Sequence, residues 1–167
     1  MSTFEAKFVA NAGIKDIVGK GLIYDDNVAI IELVKNAKDA GSPSVDICFE
    51  LSKDKEGDSF SELVITDHGK GMTLNDIRDK WLNIAFSEKK GANKTYAGNK
   101  GVGRFSCDRL GEKLDLYTRS SSGDCIKLPI LWNKFENSGV KDEISTIALE
   151  GSILTENVFL QELNLQN

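Results

Sequence analysis

Only one histidine and three cysteines occur in 167 residues, and none of Cys48, Cys107 and Cys125 belongs to a C-x-x-C pair. An odd cysteine count with so few soft ligands argues against both a disulfide framework and a zinc site. Basic excess is also missing. The formal net charge of −5 disfavours direct binding to nucleic acid, although a local basic patch can still meet a polyphosphate. No apolar run approaches 18 residues and no charged-then-apolar leader opens the chain, so neither a membrane span nor a signal segment is expected. A reducing, cytoplasmic setting is the default. Repeats and low-complexity tracts are absent, and the two prolines mark local boundaries only. Among phosphate-binding patterns, G-x-x-x-x-G-K-[ST] does not occur. Gly101-Val-Gly103-Arg-Phe-Ser106 lacks the third glycine of a dinucleotide fingerprint. The P-loop and Rossmann readings therefore both fail.

What is present is an ordinary globular composition, 40% hydrophobic and 28% charged, in a chain long enough to bury a core as a single domain over residues 1–167. Residues 27–40 predict a helix stopped by Gly41-Ser42-Pro43, because glycine suits the C-terminal cap and proline cannot continue the ladder. Val45–Phe49 alternates as a strand, Glu62–Thr66 is its expected hairpin partner, and a charged loop lies between them. Leu74, Ile77, Trp81, Leu82 and Ile84 fall near a helical period over 74–86. Residues 87–103 then turn to lysine, glycine and asparagine, a long loop of the length usually reserved for function or disorder. A helix is expected from about Gly103 to Gly111. Strand-like runs follow at 113–118, 126–132, 144–149 and 153–160. The order predicts an α+β two-layer sandwich with helices on one face of a mixed, mostly antiparallel sheet.

Three stretches carry chemistry. On the first helix Glu32, Asn36 and Asp39 share one face, while Ile30, Leu33, Val34, Ala37 and Ala40 form an arc that can bury. The Asn36 amide oxygen suits Mg²⁺, which takes oxygen ligands and keeps several waters. Glu32, one turn earlier, can orient or deprotonate a water aimed at a terminal phosphate. Equally, this is the composition of a solvated helix face. In the second stretch, Asp67 ends an apolar strand and Gly69, Gly71 and Met72 follow. The carboxylate can accept from an exocyclic amine, the glycines let backbone approach a flat ring, and Met72 can pack on it. Asp and Gly are also what a plain turn prefers. The third stretch, Gly98-Asn-Lys100-Gly101-Val102-Gly103-Arg104, precedes the expected helix, so its N–H groups and the positive helix end can face an anion. A flexible, solvated loop has the same composition. Each match alone is weak. Their ordered co-occurrence within 73 residues is the informative feature.

Together the three stretches resemble the N, G1 and G2 boxes of the GHKL ATPases, the superfamily of gyrase B, Hsp90, histidine kinases and MutL. The resemblance covers about residues 24–111, which leaves 112–167 placed by strand pattern alone. It implies a Bergerat fold holding ATP under a closing lid, here 87–103, in the N-terminal part of a longer protein. By the same resemblance Glu32 would be the hydrolytic base, Asn36 the Mg²⁺ ligand and Asp67 the adenine-recognition residue. Asp39, next to Ala40, would support the base site through a charged or water-mediated contact, and Gly101, Val102, Gly103 and Arg104 would wrap the phosphates. ATP would be turned over to ADP, with lid closure driving conformational change or homodimerisation. Glu32 and Asp39-Ala40 resemble the Hsp90, MutL and MORC side, as does Trp81–Lys89 at the passage into the lid. Histidine kinases usually carry a basic residue where Asp39 stands. Two departures are visible: His68 sits where a small or amide residue is common, and the Gly-Thr strand that closes the adenine pocket in relatives has only Gly151-Ser152-Ile153 as an incomplete substitute. A nucleotide-sensing module without useful turnover is the rival from another class.

Overall fold

The computed structural model describes residues 1–10, 25–53, 59–84, 107, 109–132, 134 and 147–164. Eight strands carry most of it: β1 (Ser2–Lys7), β2 (Val9–Ala10), β3 (Val45–Lys53), β4 (Ser59–Asp67), β5 (Asn83–Ile84), β6 (Lys113–Arg119), β7 (Cys125–Leu131) and β8 (Ala148–Leu154). The α-helices are α1 (Asp26–Asp39) and α2 (Glu156–Asn164), and a π-type helical segment spans Asp76–Trp81.

The main sheet is antiparallel in the order β1-β8-β7-β6. Its strands follow the period-2 rule that sends alternate side chains to opposite faces. Ile126, Leu128 and Ile130 on β7 point one way, into a core shared with Phe4, Ala6, Phe8, Leu149, Ile77 and Leu82. Phe4 lies directly across from Gly151 in register, and its ring fills the space where any larger residue would carry a Cβ. Phe8 stacks on Trp132, with ring centroids 6.1 Å apart. Trp81 and Cys107 pack against the same core, in keeping with their reading as core residues.

The opposite face of the sheet carries Cys125, Leu154 and Phe159, with Tyr117, Val158 and Leu163 around them. Here the structure corrects the sequence reading. The runs expected as strands at 144–149 and 153–160 are instead a single strand, Ala148–Leu154, followed by α2. Val158, Phe159, Glu162 and Leu163 recur at helical spacing, and that period brings Phe159 and Leu163 onto the sheet. Glu162 accepts hydrogen bonds from Tyr117 and Lys127, and Glu156 pairs with Arg119 at 2.9 Å, so α2 is fastened at both ends. Burial opposes the charge on Lys127, but its hydrogen bonds to Glu162 and Tyr117 outweigh that effect and raise its pKa.

β1 went unread in the sequence, although Phe4, Ala6 and Phe8 alternate inward. The helix expected over 74–86 stops at Trp81. Leu82 donates to the Ile77 carbonyl at 2.9 Å, a five-residue step, and Val9 donates to the Leu82 carbonyl at 2.9 Å. That second bond leads into the parallel pairing of β2 with β5, which takes Asn83 and Ile84 out of the helix. Tertiary pairing overrides the local period here. Of the helix expected from 103 to 111, Cys107, Arg109 and Leu110 are described and form one turn closed by Leu110 N–H to Cys107 O at 3.1 Å; residues 103–106 lie outside the described residues.

The β3–β4 hairpin has the expected partners, with Ile47 opposite Ile65 and Phe49 opposite Leu63. Both strands run beyond the predicted limits, to Lys53 and from Ser59.

Candidate functional site

Helix α1 begins where the Asp25 carboxylate caps the Asn27 N–H at 2.8 Å, a side-chain oxygen satisfying one of the orphan donors of a helix start. It ends in a Schellman arrangement: Ser42 N–H reaches Ala37 O and Gly41 N–H reaches Lys38 O, both at 3.0 Å. Gly41 takes the positive φ of 81° that this cap requires. Ala29 and Ala37 are buried while Ile30, Leu33 and Val34 are half-buried, and Asn36 and Asp39 stand on the exposed side with Glu32 half-buried. The anchored back and polar front expected of this helix are both present. Lys35 Nζ lies 2.6 Å from Glu32 Oε1.

The turn after β4 meets the end of this helix. Lys70 N–H donates to Ala40 O at 3.1 Å. Gly69 fits so closely that a Cβ there would lie 2.9 Å from both the Cβ and the carbonyl oxygen of Ala40. Asp67 Oδ1 accepts from Gly69 N–H at 2.8 Å, which orients the carboxylate and leaves its other oxygen for a ligand. His68 N–H donates to Ser42 Oγ at 2.7 Å, and the His68 ring meets Asp46 Oδ2 at 3.1 Å. His68 itself is exposed, as a turn residue should be.

On its far side the turn rests on the β6–β7 connection. Gly71 has φ +64°, and a Cβ there would lie 2.0 Å from Arg119 O. Met72 N–H donates to Thr118 Oγ1 at 2.9 Å, and Ser121 N–H to Lys70 O at 3.1 Å. Met72 is half-buried and packs against the main core. The π-type segment follows, entered through Thr73 and Asp76. Asp76 Oδ2 accepts from the Thr73 N–H and hydroxyl, and Thr73 Oγ1 accepts from Asp76 N–H. This reciprocal pair is the capping-box logic with aspartate in place of glutamate. The Thr73 hydrogen bonds, with Lys80 nearby, lower the Asp76 pKa to about 2.

The structure thus gathers Ala40, Asp67, Gly69, Gly71 and Met72 into one seam and sets Glu32, Asn36 and Asp39 along the helix that ends there. Gly98, Lys100, Gly101, Val102, Gly103 and Arg104 lie outside the described residues. Just beyond them, Arg109 Nε holds Asp26 Oδ1 at 3.0 Å, tying the chain after the third stretch to the start of α1. The sequence reading missed Ser42, Asp46 and Thr118 as turn-holding groups. Only the T-x-x-D spacing of Thr73 and Asp76 had a local signal that could have been used.

Among the described residues no group of three or more His, Cys, Asp or Glu side chains could hold a metal ion. That fits an ion drawing most of its ligands from water and phosphate, with one amide such as Asn36 from the protein.

Residues 24–158 match the family described as histidine kinase-, DNA gyrase B- and HSP90-like ATPase. The chain is 30% identical over 131 residues to the TNF receptor-associated protein 1 homolog, mitochondrial, of Dictyostelium discoideum, covering 65% of this chain and 18% of that one. It is 26% identical over 144 residues to ATPase MORC2B of Mus musculus, covering 75% and 14%. It spans less than a fifth of the length of either relative. With most of its length matched, and with helix and glycine turn packed as described, this chain belongs to the histidine kinase-, DNA gyrase B- and HSP90-like ATPase family.

Proposed function

We propose that this domain binds ATP with Mg²⁺ along α1 and the 67–72 turn and hydrolyses it to ADP, lid closure over 87–103 driving conformational change or dimerisation of a larger cytoplasmic protein. The observation that carries this reading is the seam itself: Lys70 N–H on Ala40 O at 3.1 Å, with Gly69 against Ala40 leaving no room for a side chain. It joins the helix bearing Glu32, Asn36 and Asp39 to the turn bearing Asp67. In this reading Asp67 accepts from the adenine amine, and Gly69 and Gly71 let the base approach the backbone. Asn36 supplies an oxygen to Mg²⁺, which would spread the phosphate charge when bound. Glu32 orients and deprotonates the attacking water, and Asp39 supports it. Gly98, Lys100, Gly101, Val102, Gly103 and Arg104 close around the phosphates. The three cysteines form no disulfide, which suits a reducing compartment.

One observation favours a second reading, nucleotide sensing without useful turnover. Lys35 occupies one oxygen of Glu32, and a carboxylate held by an ammonium has less freedom to take a proton from water. Single-turnover hydrolysis and equilibrium binding on the same preparation separate the two. Hydrolysis that Glu32→Ala abolishes while ATP still binds supports the base role, and unchanged turnover in that variant refutes it.

A further inference from the structure

We infer that Thr118 is a positioning residue for base recognition: its hydroxyl fixes the far end of the 67–72 turn and so sets where Asp67 points. The inference rests on the reading of Asp67 as the adenine-recognition residue.

The turn belongs to neither hairpin's hydrogen-bond ladder, so its backbone groups need partners from elsewhere. On the near side they find Ala40 O and Ser42 Oγ. On the far side Ser121 N–H takes the Lys70 carbonyl, and Met72 N–H has the Thr118 hydroxyl at 2.9 Å. Thr118 is 8% exposed, so water is a poor substitute acceptor at this place. Threonine is stiff at χ1, which holds its oxygen at a fixed point over β6.

Gly71 sits between these anchors, pressed on the Arg119 carbonyl. A shift of Met72 away from β6 therefore carries Gly71 and Gly69 with it. Gly69 N–H is the donor that orients Asp67 Oδ1. The path from Thr118 to the recognition carboxylate is thus a short run of backbone held at both ends. Ser42 does similar work on the near side, but from a more exposed position where water can replace it.

Arg119, the next residue, pairs with Glu156 at the start of α2. The strand end that carries Thr118 is held in turn by the far face of the sheet.

Isothermal titration with ATP and with GTP tests this on wild type, Thr118→Val, Thr118→Ser and Asp67→Asn, with thermal melts on each. Valine keeps the shape and removes the acceptor. Its expected result is ATP binding roughly five- to tenfold weaker, the size of one lost hydrogen bond, with the preference for ATP over GTP reduced. Serine restores both. A purely structural role would lower the melting temperature of Thr118→Val and leave the ATP-to-GTP ratio unchanged, and that outcome overturns the inference. So does wild-type binding by Thr118→Val while Asp67→Asn is weakened, with the Asp67 reading left intact. If Asp67→Asn binds ATP normally, the Asp67 reading itself fails and the inference with it. Should Thr118→Val not fold, Thr118→Ser and amide exchange at Met72 decide: slow exchange in wild type supports the bond, and exchange as fast as an open turn refutes it.

Discussion

Two hairpins of similar sequence character meet opposite fates in this molecule. On β7, Ile126, Leu128 and Ile130 are each 0% exposed. On β3, Phe49 is 72% and Leu51 89% exposed, although both strands alternate and both pair in full register. The difference lies in what covers them. β6–β7 has Phe8, Ile77 and Leu82 over one face and Phe159 of α2 over the other, whereas no core cluster among the described residues includes a β3 side chain. Alternation makes a strand, but a covering layer makes a core. The candidate site lies where the two hairpins meet, its turn leaving the open one and resting on the packed one.

The largest effect that could break this contrast is Leu128→Ala. Loss of a fully buried side chain from the main core should cost about 2–5 kcal/mol, read as a fall in denaturation midpoint with the slope unchanged. Gly71→Ala comes next, because the added carbon meets Arg119 O at a positive φ. It should cost about 1–3 kcal/mol and weaken nucleotide binding. The same change at Gly123, whose φ is +96° but which has open space around it, should destabilise without touching nucleotide affinity. Equal affinity losses at both glycines would mean the seam has no special role.

A smaller effect concerns acid. Asp76 has its pKa lowered from 3.8 to about 2, so it contributes stability above its unfolded value. That contribution disappears as pH falls from about 4 towards 2. After solvent screening it should be on the order of 1 kcal/mol or less, and Asp76→Asn should flatten that limb of a pH–stability curve. The smallest effect is Phe49→Ser, expected within about 0.5 kcal/mol for an exposed site. A loss as large as that of Leu128→Ala would show that β3 is covered in solution.

The sequence made α1 legible to within a residue, because its cap chemistry is local: Gly41 and Pro43 announce the stop. The strand pairs 45–53 with 59–67 and 113–119 with 125–131 were legible for the same reason, through period 2 and turn residues. The end of the helix at Trp81 and the single strand Ala148–Leu154 were not. Each is decided by a distant partner, β2 in one case and β1 with β7 in the other. Phe159 and Leu163 fit a strand or a helix in a short window, and contact with Cys125 and Tyr117 settles which. For the site, Asp67, Gly69 and Gly71 were visible as a turn with chemistry. The groups that hold that turn, Ser42 and Thr118, lie 26 and 46 residues away from their partners, a separation no local pattern reports.

Calorimetric titration of the 167-residue chain with ATP, ADP and GTP, with and without Mg²⁺, tests the central claim most directly. An adenine nucleotide site at the seam predicts saturable binding of ATP and ADP, a Mg²⁺-dependent gain for ATP, and GTP weaker by roughly one to two orders of magnitude for the lost carboxylate–amine bond. No adenine nucleotide binding, or ATP and GTP binding alike, would contradict it.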